Sequence, residues 1–132
     1  MAEPSFRFIC VPDALAGAPA GWAREMLQDG EIALLAGDAG LQAINEVAHD
    51  LGLASVHVVR GEESAERQEQ TVMAYAENLP VVWVSAGFGD LVTEWARDRG
   101  PMTLLVAAEG PLSEEERRRI ERFVATLGRQ SE

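Results

Sequence analysis

Five short apolar runs, each followed by a helix-length stretch, constrain this chain more than any other feature. They read Phe6-Arg7-Phe8-Ile9-Cys10-Val11, Glu31-Ile32-Ala33-Leu34-Leu35-Ala36, Val56-His57-Val58-Val59, Val81-Val82-Trp83-Val84 and Met102-Thr103-Leu104-Leu105-Val106. The runs are near-continuous rather than alternating, so their strands are expected to be covered on both faces. That pattern predicts a three-layer α/β sandwich, with helices on each side of a five-stranded parallel sheet. Right-handed crossovers make it flavodoxin-like or Rossmann-like, with strand order 2-1-3-4-5 expected. In 132 residues, 47% of them apolar, the pattern gives one domain spanning 1–132 around a single core.

Helix signals fill the intervals. A first helix is expected over residues 20–28, with Trp22, Ala23, Met26 and Leu27 facing inward. A second begins at Asp38, buries Leu41, Ile44, Val47, Ala48 and Leu51, and stops at Gly52. The third starts near Ser64, but its opening residues 65–70 are almost wholly polar and should project into solvent or meet a partner. A fourth, over 90–99, offers Leu91, Val92, Trp95 and Ala96. The fifth opens on a capping box, Ser113-Glu114-Glu115-Glu116, and buries Ile120, Phe123, Val124 and Leu127 at i, i+3, i+4 and i+7.

Charge narrows the partners. The formal net charge is −11, and residues 113–132 balance five Glu with five Arg, so the whole excess lies in residues 1–112. Such a surface repels nucleic acid and anionic lipid. All eleven basic residues are Arg, which excludes Schiff-base chemistry and a P-loop lysine. No run approaches the roughly 18–20 apolar residues of a membrane span. Cys10, the single cysteine, leaves no intrachain disulfide and fits a cytoplasmic setting. It reads as a small hydrophobe of the first strand rather than a nucleophile.

Open α/β sheets bind ligands outside the carboxyl ends of their strands. The runs deliver Asp13 there, then Gly37 and Asp38, then Arg60, Gly61, Glu62 and Glu63. The fourth run adds Ser85, Gly87, Phe88, Gly89 and Asp90, and the fifth adds Glu109 and Gly110. Acids dominate this edge, so a bare phosphate would be repelled. Asp38 and Asp90 open helices and read as caps before they read as chemistry. Gly87-Phe88-Gly89 lacks the third glycine of a dinucleotide fingerprint and reads as a tight turn. His49 and His57 lie on different elements and make no metal site. Trp22, Trp83 and Trp95 read as packing residues.

Response-regulator receivers share the expected order, and this chain supplies Asp13 and Ser85 where they carry acidic and hydroxyl groups. It places Val59-Arg60 at their phosphoacceptor and Ala108-Glu109 at their lysine, so a receiver here would be degenerate. A second likeness lies in Phe8-Ile9-Cys10-Val11-Pro12-Asp13-Ala14-Leu15 and in Ala74-Tyr75-Ala76-Glu77-Asn78-Leu79-Pro80-Val81-Val82-Trp83-Val84-Ser85, followed by Gly89-Asp90-Leu91. These blocks, spanning residues 6–92, resemble the pyrimidine-binding domain of thiamine-diphosphate-dependent decarboxylases, of the phosphonopyruvate and sulfopyruvate type. The resemblance implies a small subunit, inactive alone, that shares thiamine diphosphate and Mg with a partner chain. It puts Asp38 in the role of the cofactor-activating acid, with Asp13, Ser85, Gly87, Gly89 and Asp90 lining the cleft. Asp38 is one methylene shorter than that family's glutamate, and the family's Gly-rich turn is replaced by Gly61-Glu62-Glu63-Ser64. The other expectation is a non-enzymatic, receiver-like interaction or regulatory module. Assembly is expected through the third and fourth helices, because Met73 and Tyr75 cannot both face the core and Trp95 lies near Arg97 and Arg99. Packing of Trp95 on the sheet is the competing reading.

Overall fold

All five strands pair in parallel in the computed structural model, which describes residues 6–15, 18–19, 21–22, 25, 30–35, 40–50, 57–59, 64–76 and 79–130. They are β1 (Phe6–Cys10), β2 (Gly30–Leu35), β3 (His57–Val59), β4 (Val81–Ser85) and β5 (Thr103–Ala107). The described helices are α1 (Gly40–Asp50), α2 (Ala65–Ala76), α3 (Asp90–Arg99) and α4 (Glu114–Gln130), with a 3-10 turn over Pro12–Leu15. The helix expected over 20–28 falls largely outside the described residues.

The strand order is β3-β2-β1-β4-β5, which corrects the expected 2-1-3-4-5. Burial explains the difference. A central strand of a parallel sheet is covered on both faces, and β1 and β4 meet that demand with four buried residues each. By contrast, β3 has three residues, of which His57 and Val58 are exposed, so it belongs at an edge. The chain steps outward from β1 to β3, returns beneath the sheet through α2, and continues outward from β4 to β5. The direction reverses between β1 and β4.

This winding puts α1 and α4 on one face and α2 and α3 on the other. The first face packs Phe6, Phe8, Cys10, Ile32, Leu34, Val82, Val84 and Val106 under Ile44 of α1 and Ile120 of α4, with Trp22 beside them. The second packs Ile9, Ala33, Val59, Val81 and Trp83 under Val72 and Ala76 of α2 and Val92 of α3. The capping box forms as the sequence predicts. Ser113 N–H donates to Glu116 Oε1 at 2.8 Å and Glu116 N–H donates to Ser113 Oγ at 3.1 Å. Phe123, Val124 and Leu127 then follow Ile120 onto the core.

Two helix expectations need correction. Met73 and Tyr75 both pack on the second cluster, because they flank the Val72 and Ala76 stripe on opposite sides rather than facing away from each other. Leu91 is 50% exposed, since the α3 stripe runs through Val92, Trp95 and Ala96, one position later. Trp95 packs edge-on to Trp83 with centroids 6.2 Å apart, and the Arg99 guanidinium lies 4.6 Å over its ring. The same Arg99 donates to Thr103 Oγ1 at 2.6 Å and to the Leu79 carbonyl, closing the α3–β5 corner.

Gly30 starts β2 opposite Phe6, whose ring occupies the space a side chain would need; an added Cβ would sit 2.3 Å from the ring. Gly30→Ala is expected to cost about 1–3 kcal/mol through overpacking. Urea unfolding would show this as a lower midpoint at unchanged slope.

Candidate functional site

The reversal between β1 and β4 is where an open sheet leaves a crevice at its carboxyl edge. On one side stands the 3-10 turn Pro12–Leu15, which carries Asp13 in its backbone and buries Ala14 and Leu15. On the other, β4 ends at Ser85 and runs through Gly87, Phe88 and Gly89 into α3. The structure therefore brings the Asp13 turn and the Ser85–Asp90 segment to neighbouring strand ends. Asp38, Gly37, Arg60, Gly61, Glu62 and Glu63, and the side chain of Asp13, lie outside the described residues.

Backbone hydrogen bonds tie this edge together. Ala108 N–H donates to the Ser85 carbonyl at 2.9 Å, and Leu112 N–H donates to the Ala14 carbonyl at 3.0 Å. Leu112 is itself buried beside Ala14 and Leu15. The segment after β5 thus reaches back across the end of β4 to the β1 turn. Ser85 Oγ donates to the Gly87 carbonyl at 3.0 Å and shapes its own turn. Phe88 lies edge-on to Trp83 at 5.3 Å between centroids.

A helix N-terminus attracts anions through free N–H groups and the helix dipole. At α3 one of these N–H groups is met from within the chain. Glu69, on the polar half of α2, accepts from Gly89 N–H at 2.8 Å through Oε2. Gly89 is the N-cap and makes no side-chain cap, and Asp90 is the first helical residue with its side chain exposed. Asp90 is therefore not the cap that its position suggested. The polar opening of α2 is likewise only partly in solvent: Glu66, Arg67 and Gln70 are exposed, whereas Gln68 and Glu69 are half-buried.

Cys10 ends β1 fully buried, and burial pushes its thiol well above the ordinary range. A thiol held protonated in an apolar core is not a nucleophile. Exposed side chains around the carboxyl edge include apolar Val11, at 37% exposure, and Leu91, and acidic Asp90, Glu94 and Glu109.

A second polar group lies at the opposite, amino end of the sheet, on the α2 side. Glu31 receives the Tyr75 hydroxyl on Oε1 and stands 3.5 Å from Arg7 Nε and 3.6 Å from His57 Nε2. Arg7 in turn donates to the Tyr75 carbonyl and lies 4.5 Å over the Tyr75 ring. This group joins β1, β2, β3 and α2. Its sequence signal is the pairing of Arg7 with Glu31 at equivalent positions of two adjacent apolar runs. Nothing in the sequence marks Glu69 as a cap for a helix twenty residues away.

Among the described residues, no group of three or more His, Cys, Asp or Glu is arranged to hold a metal ion. No described helix is long and apolar enough to cross a membrane. Compared with known proteins, the chain matches no family model, no curated protein and no solved structure.

Glu69→Ala removes the α3 cap and is expected to cost about 1 kcal/mol. It also frees the Gly89 N–H, so inorganic phosphate should raise the melting temperature of Glu69→Ala more than that of the native chain. Equal phosphate effects in both proteins would show that Glu69 does not guard this terminus.

Proposed function

We propose that this chain is a non-enzymatic α/β interaction module that docks another protein chain against the carboxyl edge of its sheet. The carrying observation is the Glu69 carboxylate seated on Gly89 N–H. One anion-attracting N–H beside the crevice is taken by the chain's own acid, while Val11 and Leu91 stay exposed at this edge. Apolar side chains ringed by Asp90, Glu94 and Glu109 suit a partner that presents an apolar anchor flanked by Arg or Lys. Glu66, Gln70 and Leu91 extend that surface onto the first turns of α2 and α3, the elements expected to meet a partner. The receiver version of this reading loses its structural ground, because the strand order differs from the one that comparison requires. A cytoplasmic setting accords with the single buried Cys10.

The test pairs the chain with proteins encoded beside it in the genome and compares binding of the native form with a Val11→Asp, Leu91→Asp double variant. Both side chains are exposed, so the melting temperature should hold while the dissociation constant rises about 10–100-fold, as for loss of apolar anchors. Unchanged affinity in the double variant would sink the docking edge.

One observation favours a second reading. The Asp13 turn and the Ser85–Asp90 segment lie at neighbouring strand ends, at the switch in strand order where open sheets take ligands. This keeps alive the resemblance to a pyrimidine-binding half, with thiamine diphosphate and Mg shared with a partner subunit. Thiamine diphosphate, when bound, supplies stabilisation of the carbanion formed on decarboxylation. With Glu69 on its N–H, the Ser85–Gly89 turn suits an uncharged ring better than a diphosphate, which the partner would hold. Asp38 is the residue proposed to activate the ring. Mixing with a diphosphate-binding subunit should then give cofactor-dependent decarboxylation that Asp38→Ala abolishes. Full activity in Asp38→Ala would remove that assignment.

A further inference from the structure

The two edges of the sheet are unequal. At one end, β3 is three residues long, with an exposed His57 beside Glu31. At the other, β5 is five residues long and reads Thr103-Leu104-Leu105-Val106-Ala107, with no charge, no proline and no glycine. Natural sheets protect their edges with short strands, lysines, prolines, bulges or inward charges. Within β5 the sequence supplies none of these. Among the described residues β5 pairs with β4 alone.

The hydrogen-bonding side of β5 can be read from its pairing. Ala108 N–H points to β4, where Ser85 accepts it. Strand alternation then sends Leu104 and Val106 toward β4 as well, and turns the backbone N–H and C=O groups of Leu105 and Ala107 outward. Thr103 turns its carbonyl outward too, while its N–H closes a turn onto the Gly100 carbonyl.

We infer that β5 pairs with β5 of a second copy of this chain, antiparallel about a twofold axis through Leu105, to make a continuous ten-stranded sheet. The strand is self-complementary about that point. Leu105 meets Leu105 of the partner subunit as a hydrogen-bonded pair, and each Ala107 N–H reaches the opposite Thr103 carbonyl. Leu104 lies opposite Val106 on the face that both already help to fill. Charge agrees with this direction. The antiparallel arrangement brings exposed Glu109, just past the strand's end, toward the end where α3 finishes in Arg97 and Arg99. Such an isologous contact closes on itself and leaves no free β5 edge. It shares only Glu109 with the carboxyl-edge docking proposed above, since β5 lies at the sheet's side.

Light scattering across a concentration series, combined with amide hydrogen exchange, tests this. The native chain should reach twice its 14.3 kDa mass, and the Leu105 and Ala107 amides should become protected as the dimer forms. Ala107→Pro removes an outward N–H at an exposed position that tolerates proline on an unpaired edge. It should raise the dimer dissociation constant by about 30-fold or more, given two lost hydrogen bonds. A monomer at every concentration overturns the inference. So does a dimer whose Leu105 and Ala107 amides exchange as fast as in the dilute chain, because its interface then lies elsewhere. The exchange measurement on the native chain decides the matter even if Ala107→Pro fails to fold.

Discussion

Everything in this fold leans on β1. Its five residues are divided between two cores, with Phe6, Phe8 and Cys10 on one face and Ile9 on the other. Arg7 points to the second face as well, where burial of a charge is tolerable only with partners. It finds Glu31 on β2 and the carbonyl and ring of Tyr75 on α2. A strand so covered has to be central, and it pairs with β2 on one side and β4 on the other. The reversal of winding between β1 and β4, and with it the crevice at the carboxyl edge, follows from that single placement.

Much of this was legible in the sequence. The five runs became the five strands, and the capping box and its 3.6-residue stripe became α4, because both signals are local. The order of the strands was not local, and the expectation of β3 at the centre failed on it. A clue was present in the composition of the runs. Val81-Val82-Trp83-Val84 has no polar residue, whereas the third run carries His57, and only the former suits burial on both faces. Leu91 misled for a similar reason. An apolar residue at the start of α3 looks like core until the position of Val92 fixes which stripe faces the sheet.

The candidate site was legible in place but not in character. Asp13, Ser85, Gly87, Gly89 and Asp90 do gather at neighbouring strand ends, since that follows from topology. What the turn after β4 offers a ligand depends on Glu69, which reaches it from α2. Long-range caps of this kind arise from tertiary packing and leave no spacing pattern to find. Asp38 and the Arg60–Glu63 stretch lie outside the described residues, so the acid richness of the edge rests structurally on Asp90, Glu94 and Glu109.

The two ends of the sheet then differ in how their polar groups are satisfied, and that difference bears on function. At the amino end, Arg7, Glu31, Tyr75 and His57 answer one another, linking three strands to α2. At the carboxyl end, the N–H groups of Gly89, Ala108 and Leu112 are answered by Glu69, Ser85 and Ala14, while Val11 and Leu91 stay exposed. Val11 and Leu91 offer apolar area there beside exposed acids, and its burial by a partner would be driven by the hydrophobic effect and steered by charge. Those are the forces on which the docking proposed for this edge depends.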